Sequence, residues 1–375
     1  MAEQKKKTFW LRNGTYFDYP TLFYIIFLVL FGLMMVYSAG IYASRMEYKN
    51  AYGYPLRQFI FSCMGLAIMY VVSRVRYQVI KKFTTLIVIT MIVLLGLVLL
   101  IGDEVNGSTR WINLGFISFQ PSEIAKIVVP LYMAYGCTDR SYYMYTWKGM
   151  LKLFTPVIAM VILIAVENLS TALICVFIAG GIWLIATKKY VYLIPVIIVG
   201  AIGIVILLNM EGYRMERLRI WRNPEEGYQT MQGLYAVGTG GFFGRGLGQS
   251  VQKTGKIPEA QNDMIFSIIC EELGIVGAVG LIIVFVLLIW RMKFIAEGAP
   301  DRYGSLIVVG VLIHVAVQVI INMSVVTNVM PNTGVTLPFI SYGGSSMIFL
   351  LAEMGLVLGV SRQIVPYGDE EESSE

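Results

Sequence analysis

Charged side chains are scarce in this sequence, and those that interrupt apolar stretches are the ones that could do chemistry. Asp263 follows Pro258-Glu259-Ala260-Gln261-Asn262 and opens a long apolar run. A carboxylate at such a helix start can cap it, and the helix dipole favours its ionised form near neutral pH. Glu271 and Glu272 follow about 12–13 Å deeper by helix rise and read as buried hydrogen-bonding partners. Glu123 and Lys126 stand three apart on one face of another predicted helix, where they can pair. Glu353 and His314 lie in two further apolar runs and have no partner that the sequence names, so a structural role is expected for each. Glu167 and Asn168 occupy a tight turn. An ionisable group in lipid costs about 2.5–3.5 kcal/mol, so each such position is a functional hypothesis. Arg110-Trp111 puts a fixed positive charge near a membrane surface, where an Arg-Trp pair also serves as an anchor. The single histidine argues against multi-His zinc sites and Ser-His-Asp catalysis. Cys63, Cys137, Cys175 and Cys270 fall in or at the ends of apolar runs and suggest neither a disulfide framework nor a CxxC metal site.

The elements that must position these groups are membrane helices. The chain has 375 residues, 57% of them hydrophobic and only 14% charged, with a mean hydropathy of +0.69. That is more apolar surface than a soluble fold of this size could hide. Ten spans are predicted, at 18–38, 58–73, 83–101, 120–137, 150–166, 170–187, 190–208, 264–290, 303–325 and 345–361, each near the ~20 residues that cross the hydrocarbon. The fold class is an all-α polytopic membrane protein of about ten transmembrane helices. With the N-terminus in the cytoplasm, most of the 29 lysines and arginines fall in short cytoplasmic loops, as the positive-inside rule requires. The basic residues are scattered between spans rather than gathered in a patch, so nucleic acid is not an expected partner.

Residues 1–17 then form a cytoplasmic segment, 18–361 the membrane domain and 362–375 an acidic cytoplasmic tail. Two outer segments are unusual. Residues 209–262 make a large extracellular loop between the seventh and eighth helices, and residues 326–346 carry enough apolar side chains to dip back into the bilayer. Irregular backbone at that depth must be buried in protein or lined by water, so both point to a cavity on the outer face. A rim carboxylate with basic residues nearby would suit an anionic, lipid-linked substrate.

Three stretches carry a resemblance. NGSTRWINLGFISFQPSEIAK, GYQTMQGLYAVGTGGFFGRGLGQSVQKTGKIPEAQNDMIFSIICEELG and NMSVVTNVMPNTGVTLPFISYGGSS closely resemble the SEDS family of bacterial cell-wall proteins, its FtsW/SpoVE branch more than the related RodA branch. The resemblance implies a peptidoglycan glycosyltransferase that polymerises lipid II into β-1,4 glycan outside the membrane for division or sporulation. Its catalytic aspartate falls on Asp263, the general base of an inverting displacement. Around the substrate it implies Arg110, Trp111, Gln120, Ser122, Glu123, Lys126, Lys253, Ser341, Tyr342 and Gly343. It also implies a class B penicillin-binding transpeptidase as partner, other divisome proteins, and a place in the cytoplasmic membrane at the septum. A divalent cation, Mg or Mn, could screen the diphosphate, although no multi-carboxylate cage is visible. Gln261-Asn262 stands where the family commonly has His-Thr, and Asn168-Leu169-Ser170-Thr171 departs from its Pro-Asp-Leu-Gly-Thr turn. A lipid II flippase using Lys126, Glu123, Glu271 and Glu353, or a division scaffold without chemistry, are the alternatives.

Overall fold

A computed structural model describes residues 17–105, 108–113, 118–188 and 212–364. The long helices are α1 (Tyr19–Tyr48), α2 (Gly53–Arg74), α3 (Tyr77–Ile101), α4 (Pro121–Asp139), α5 (Trp147–Glu167) and α6 (Leu169–Thr187). After these come two shorter helices, α7 (Gly212–Arg222) and α8 (Tyr228–Thr239), and then α9 (Ile265–Glu297), α10 (Arg302–Val326) and α11 (Gly344–Ser361). Eight of them are long and apolar enough to cross a membrane. The ninth long helix, α4, coincides with a predicted span but is less apolar, because it holds Glu123, Lys126 and Asp139. The predicted span 190–208 lies outside the described residues, as do residues 1–16 and the acidic tail from residue 365.

Three corrections concern the segments between spans. The polar stretch 103–119 forms a small antiparallel sheet of β1 (Asp103–Val105), β2 (Ser108–Asn113) and β3 (Ser118–Phe119), ordered β1-β2-β3. The large loop contains the helices α7 and α8. Helix α1 runs well past its predicted end at residue 38, because Ser38, Ala39, Gly40 and Ser44 are buried against neighbouring elements and their modest polarity hides the helix from a hydropathy scan. Its start is well marked: Asp18 accepts the Thr21 N–H at 2.9 Å, and Pro20 fills the first turn.

Helix α10 lies centrally, touching α4, α6, α9 and α11, while α11 is packed along α2 and α1 contacts both α2 and α9. The segment between α10 and α11 packs into the protein. Leu337, Phe339 and Ile340 are almost fully buried, and a Cβ on Gly32, midway along α1, would lie 2.4 Å from the Phe339 carbonyl oxygen. Only glycine lets the loop come so close to the helix.

Helix α9 is broken at Gly274 (φ 65°, ψ −164°). At the break, the Arg245 and Gly246 N–H groups donate to the Glu271 and Glu272 carbonyls at 2.9 Å each. The Ile275 and Val276 N–H groups donate in turn to the Gly241 and Phe242 carbonyls at 3.0 and 3.2 Å. The glycine-rich loop thus replaces the missing helical bonds, the condition for tolerating a broken helix in a membrane. Gly244 has φ +78°, and a Cβ there would meet the Glu272 carbonyl oxygen at 2.2 Å.

Candidate active site

The turn before α9 presents Asp263, half-buried, between the α10–α11 segment and the large loop. It is not the helix cap: α9 begins at Ile265, and its N-cap, Met264, makes no side-chain cap bond. The carboxyl pKa is raised from 3.8 to about 6, through burial first and the neighbouring Glu259 carboxylate second. Its own N–H, Arg217 and the Met264 N–H pull the other way and do not prevail. Desolvation is the largest influence on it.

Buried amides fix the backbone around it. Asn322 of α10, fully buried, donates to the Asp263 carbonyl and the Val335 carbonyl, both at 2.8 Å. One turn earlier on the same face, Gln318 donates to the Thr336 carbonyl at 2.9 Å. Gln58 of α2 donates to the Ser341 carbonyl at 3.2 Å and accepts the Gly343 N–H at 3.4 Å. The Tyr342 N–H donates to the Gln261 carbonyl at 2.8 Å. Ser341, Tyr342 and Gly343 are thereby tied to the turn that carries Asp263. These amides were missed by a reading that followed ionisable groups only, although a glutamine and an asparagine four apart in an apolar run are themselves a signal.

Glu123 and Lys126 do pair, at 2.8 Å. His314 and Glu353, expected to lack partners, meet each other: Nδ1 lies 2.6 Å from Oε2, with both side chains almost fully buried. All four line one cavity of ≈ 350 Å³ of empty space with Gln318, Thr336 and Ser341. Gln120, Ser122 and Asn168 line a second, of ≈ 280 Å³. The Gln120 Nε2 and Ser122 Oγ atoms there are buried without a hydrogen-bond partner. Asp263 lines neither cavity. Asn168 also caps α6, accepting the Thr171 N–H at 3.0 Å.

Lys253 is tied into the protein. Its ammonium is almost buried, 2.7 Å from Glu272 and 2.8 Å from the Ser38 hydroxyl. It is not a free cation at the rim. Glu271 and Glu272 are fully buried acceptors, as expected: Ser250 Oγ donates to Glu271 at 2.5 Å and Ser38 to Glu272 at 2.7 Å. Arg110 lies on β2, and Trp111 beside it is half-buried. The four cysteines are free thiols. Among the described residues no three His, Cys, Asp or Glu side chains come together as a metal site. These residues therefore offer no ready cage for Mg or Mn.

Comparison with known proteins decides the family. A family model described as cell cycle protein, covering FtsW, RodA and SpoVE, matches residues 20–365. The chain belongs to the FtsW/RodA/SpoVE family. Among FtsW/RodA/SpoVE relatives, stage V sporulation protein E of Bacillus subtilis (strain 168) is 36% identical over 90% of this chain and 94% of its own length. The "Probable peptidoglycan glycosyltransferase FtsW" of Geobacter sp. (strain M18) is 34% identical over 94% and 99%. Among solved structures, a chain of a peptidoglycan synthase complex that coordinates polymerization and crosslinking superposes with a TM-score of 0.79, at 27% identity over 92% of this chain and 98% of that one. The rod shape determining protein RodA of Thermus thermophilus gives 0.70, at 26% identity over 94% and 98%. Like these, the present member of the FtsW/RodA/SpoVE family is a multi-pass membrane protein.

Proposed function

We propose that this chain polymerises lipid II into β-1,4 glycan for the septal wall, with Asp263 as general base. The observation that carries the reading is one half-buried carboxylate, raised to about 6, in a turn clamped by buried amides. It stands in a chain whose relatives include proteins named peptidoglycan glycosyltransferases. A base of that pKa is largely ionised at pH 7 yet still takes a proton readily, which suits general-base work. Its carboxylate would accept the proton of the acceptor 4-hydroxyl as that oxygen attacks the donor C1 from the face opposite the diphosphate. The C1–O bond to the diphosphate breaks, and the anomeric centre inverts. The leaving diphosphate is already a stable anion and calls for nearby positive charge rather than a proton donor. Arg110, Lys126 and the basic residues of the outer loop, Arg217 and Lys253 among them, are the candidates for that charge. The reading sets the Asp263 end of the helices outside the membrane, with both termini in the cytoplasm and a class B penicillin-binding transpeptidase and other divisome proteins as partners.

The test is purified protein with lipid II, alone and with a cognate transpeptidase, assayed for glycan. Lipid II moved across liposomes without a glycan product, dependent on Lys126 and not on Asp263, would establish the flippase instead. The cavity shared by Glu123, Lys126, His314 and Glu353 is the observation that favours it.

The raised carboxyl gives a pH prediction. Protonation removes the base, so kcat/KM falls on the acid side along a one-proton limb centred near pH 6. Removing the like charge by Glu259→Gln favours the ionised form, and the limb moves to lower pH. The stability sign is opposite to that of a paired aspartate. A folded pKa above the unfolded value makes ionisation costly, so this group's contribution to stability declines as pH rises from 3.8 to about 6. A pH–rate profile unchanged in Glu259→Gln, with the limb elsewhere, would remove Asp263 as its source.

A further inference from the structure

Beside the Asp263 turn lies a cluster that the mechanism does not use, at the adjoining ends of α1 and α2. The Arg57 guanidinium donates to the Tyr48 hydroxyl at 2.8 Å and lies 4.6 Å from that ring's centre. The Glu47 carboxylate accepts from the Tyr54 hydroxyl. The rings meet edge to face, Tyr48 on Tyr54 at 5.3 Å and Tyr54 on Tyr342 at 4.7 Å. They form a corner whose polar tips, Arg57 and Glu47, are exposed to solvent.

This chemistry selects a ligand class. One cation and one anion, each held by phenol oxygens, leave the patch without net charge, so a bare anion would meet Glu47 as well as Arg57. A hydrocarbon chain would leave both ions unsolvated. A sugar fits: its apolar ring face can lie on aromatic rings, and its hydroxyls and acetamides supply both donors and acceptors for Arg57, Glu47 and the phenols. Tyrosines near a membrane surface commonly act only as anchors. Those do not reach inward, whereas Tyr342 is bonded through its N–H to Gln261, two residues before Asp263, and Gln58, next to Arg57, clamps Ser341 and Gly343.

We infer that Glu47, Tyr48, Tyr54, Arg57 and Tyr342 form a carbohydrate platform that holds the growing glycan strand beside the site where it is extended. This rests on the polymerase reading above. Two measurements separate the two. In the first, full-length protein in detergent is titrated with a soluble, lipid-free tetrasaccharide of alternating GlcNAc and MurNAc. Wild type binds it, and Arg57→Ala weakens binding about tenfold, the loss of one good contact. Tyr48→Phe, which keeps the ring, loses less than Tyr48→Ala, and thermal midpoints confirm that every variant is folded. In the second, glycan lengths are compared at equal lipid II consumption, and Arg57→Ala and Tyr48→Ala give shorter strands than wild type. Absence of binding to the wild type, or folded variants with unchanged affinity and strand length, overturns the platform. If the wild type makes no glycan, the polymerase reading fails and the titration alone still decides the platform.

Discussion

Asp263→Asn reduces glycan formation from lipid II at least ~100-fold while leaving the protein folded, the loss expected when a positioned base is removed. Asparagine keeps the size and polarity of the side chain but cannot take the acceptor proton. The surroundings favour a folded variant: Asn322 holds the Asp263 backbone carbonyl rather than its carboxylate, and burial disfavours the charge that the variant removes. The loss should appear in kcat more than in KM, because the group acts as the new bond forms. The assay is glycan production by purified variant and wild type, with thermal midpoints as the folding control. A folded Asn variant that polymerises at the wild-type rate ends the assignment of Asp263 as base.

Glu272→Ala lowers stability by about 3–5 kcal/mol, the cost of leaving one partner of a buried ion pair without the other. The carboxylate is fully buried and accepts from the Ser38 hydroxyl, the Lys253 ammonium and, at 3.4 Å, the Ser250 N–H. Its loss strands the Lys253 charge and removes the carboxylate that joins the glycine-rich loop to α1, while Glu271 and the backbone bonds at the break still hold the loop to α9. Removing both charges, as Glu272→Gln with Lys253→Met, costs less than the single truncation, since no charge is left alone. Thermal unfolding of the detergent-solubilised proteins measures this. A Glu272→Ala variant as stable as wild type would show that the pair does not hold the loop.

Much of this arrangement is legible in the sequence. Long apolar runs locate nine of the described helices, with ends that miss by up to ten residues in α1, and Asp263 stands out because a carboxylate opening such a run needs a reason. The Glu123–Lys126 pair is readable because three residues on a helix set two side chains on one face. The His314–Glu353 pair is not, since its members belong to different helices and only the packing of α10 on α11 joins them. Lys253 looks like a loop cation until the loop is seen folded onto Glu272. The small sheet has a local signal in Asn106-Gly107, a common hairpin dipeptide, which a search for apolar runs passes over.

The break at Gly274 bears on how the protein responds to its bilayer. An unbroken α9 of 33 residues would be about 50 Å long, far beyond the ~30 Å of hydrocarbon. The segment after the break, about 34 Å by helix rise, is long enough to span alone. Tilting of that segment can therefore absorb a thicker or thinner membrane. The short segment before it is clipped to the loop by Glu271 and Glu272 and held near Asp263 by Asn322. Lipid composition is thus expected to change the lean of the long segment while the aspartate keeps its seat.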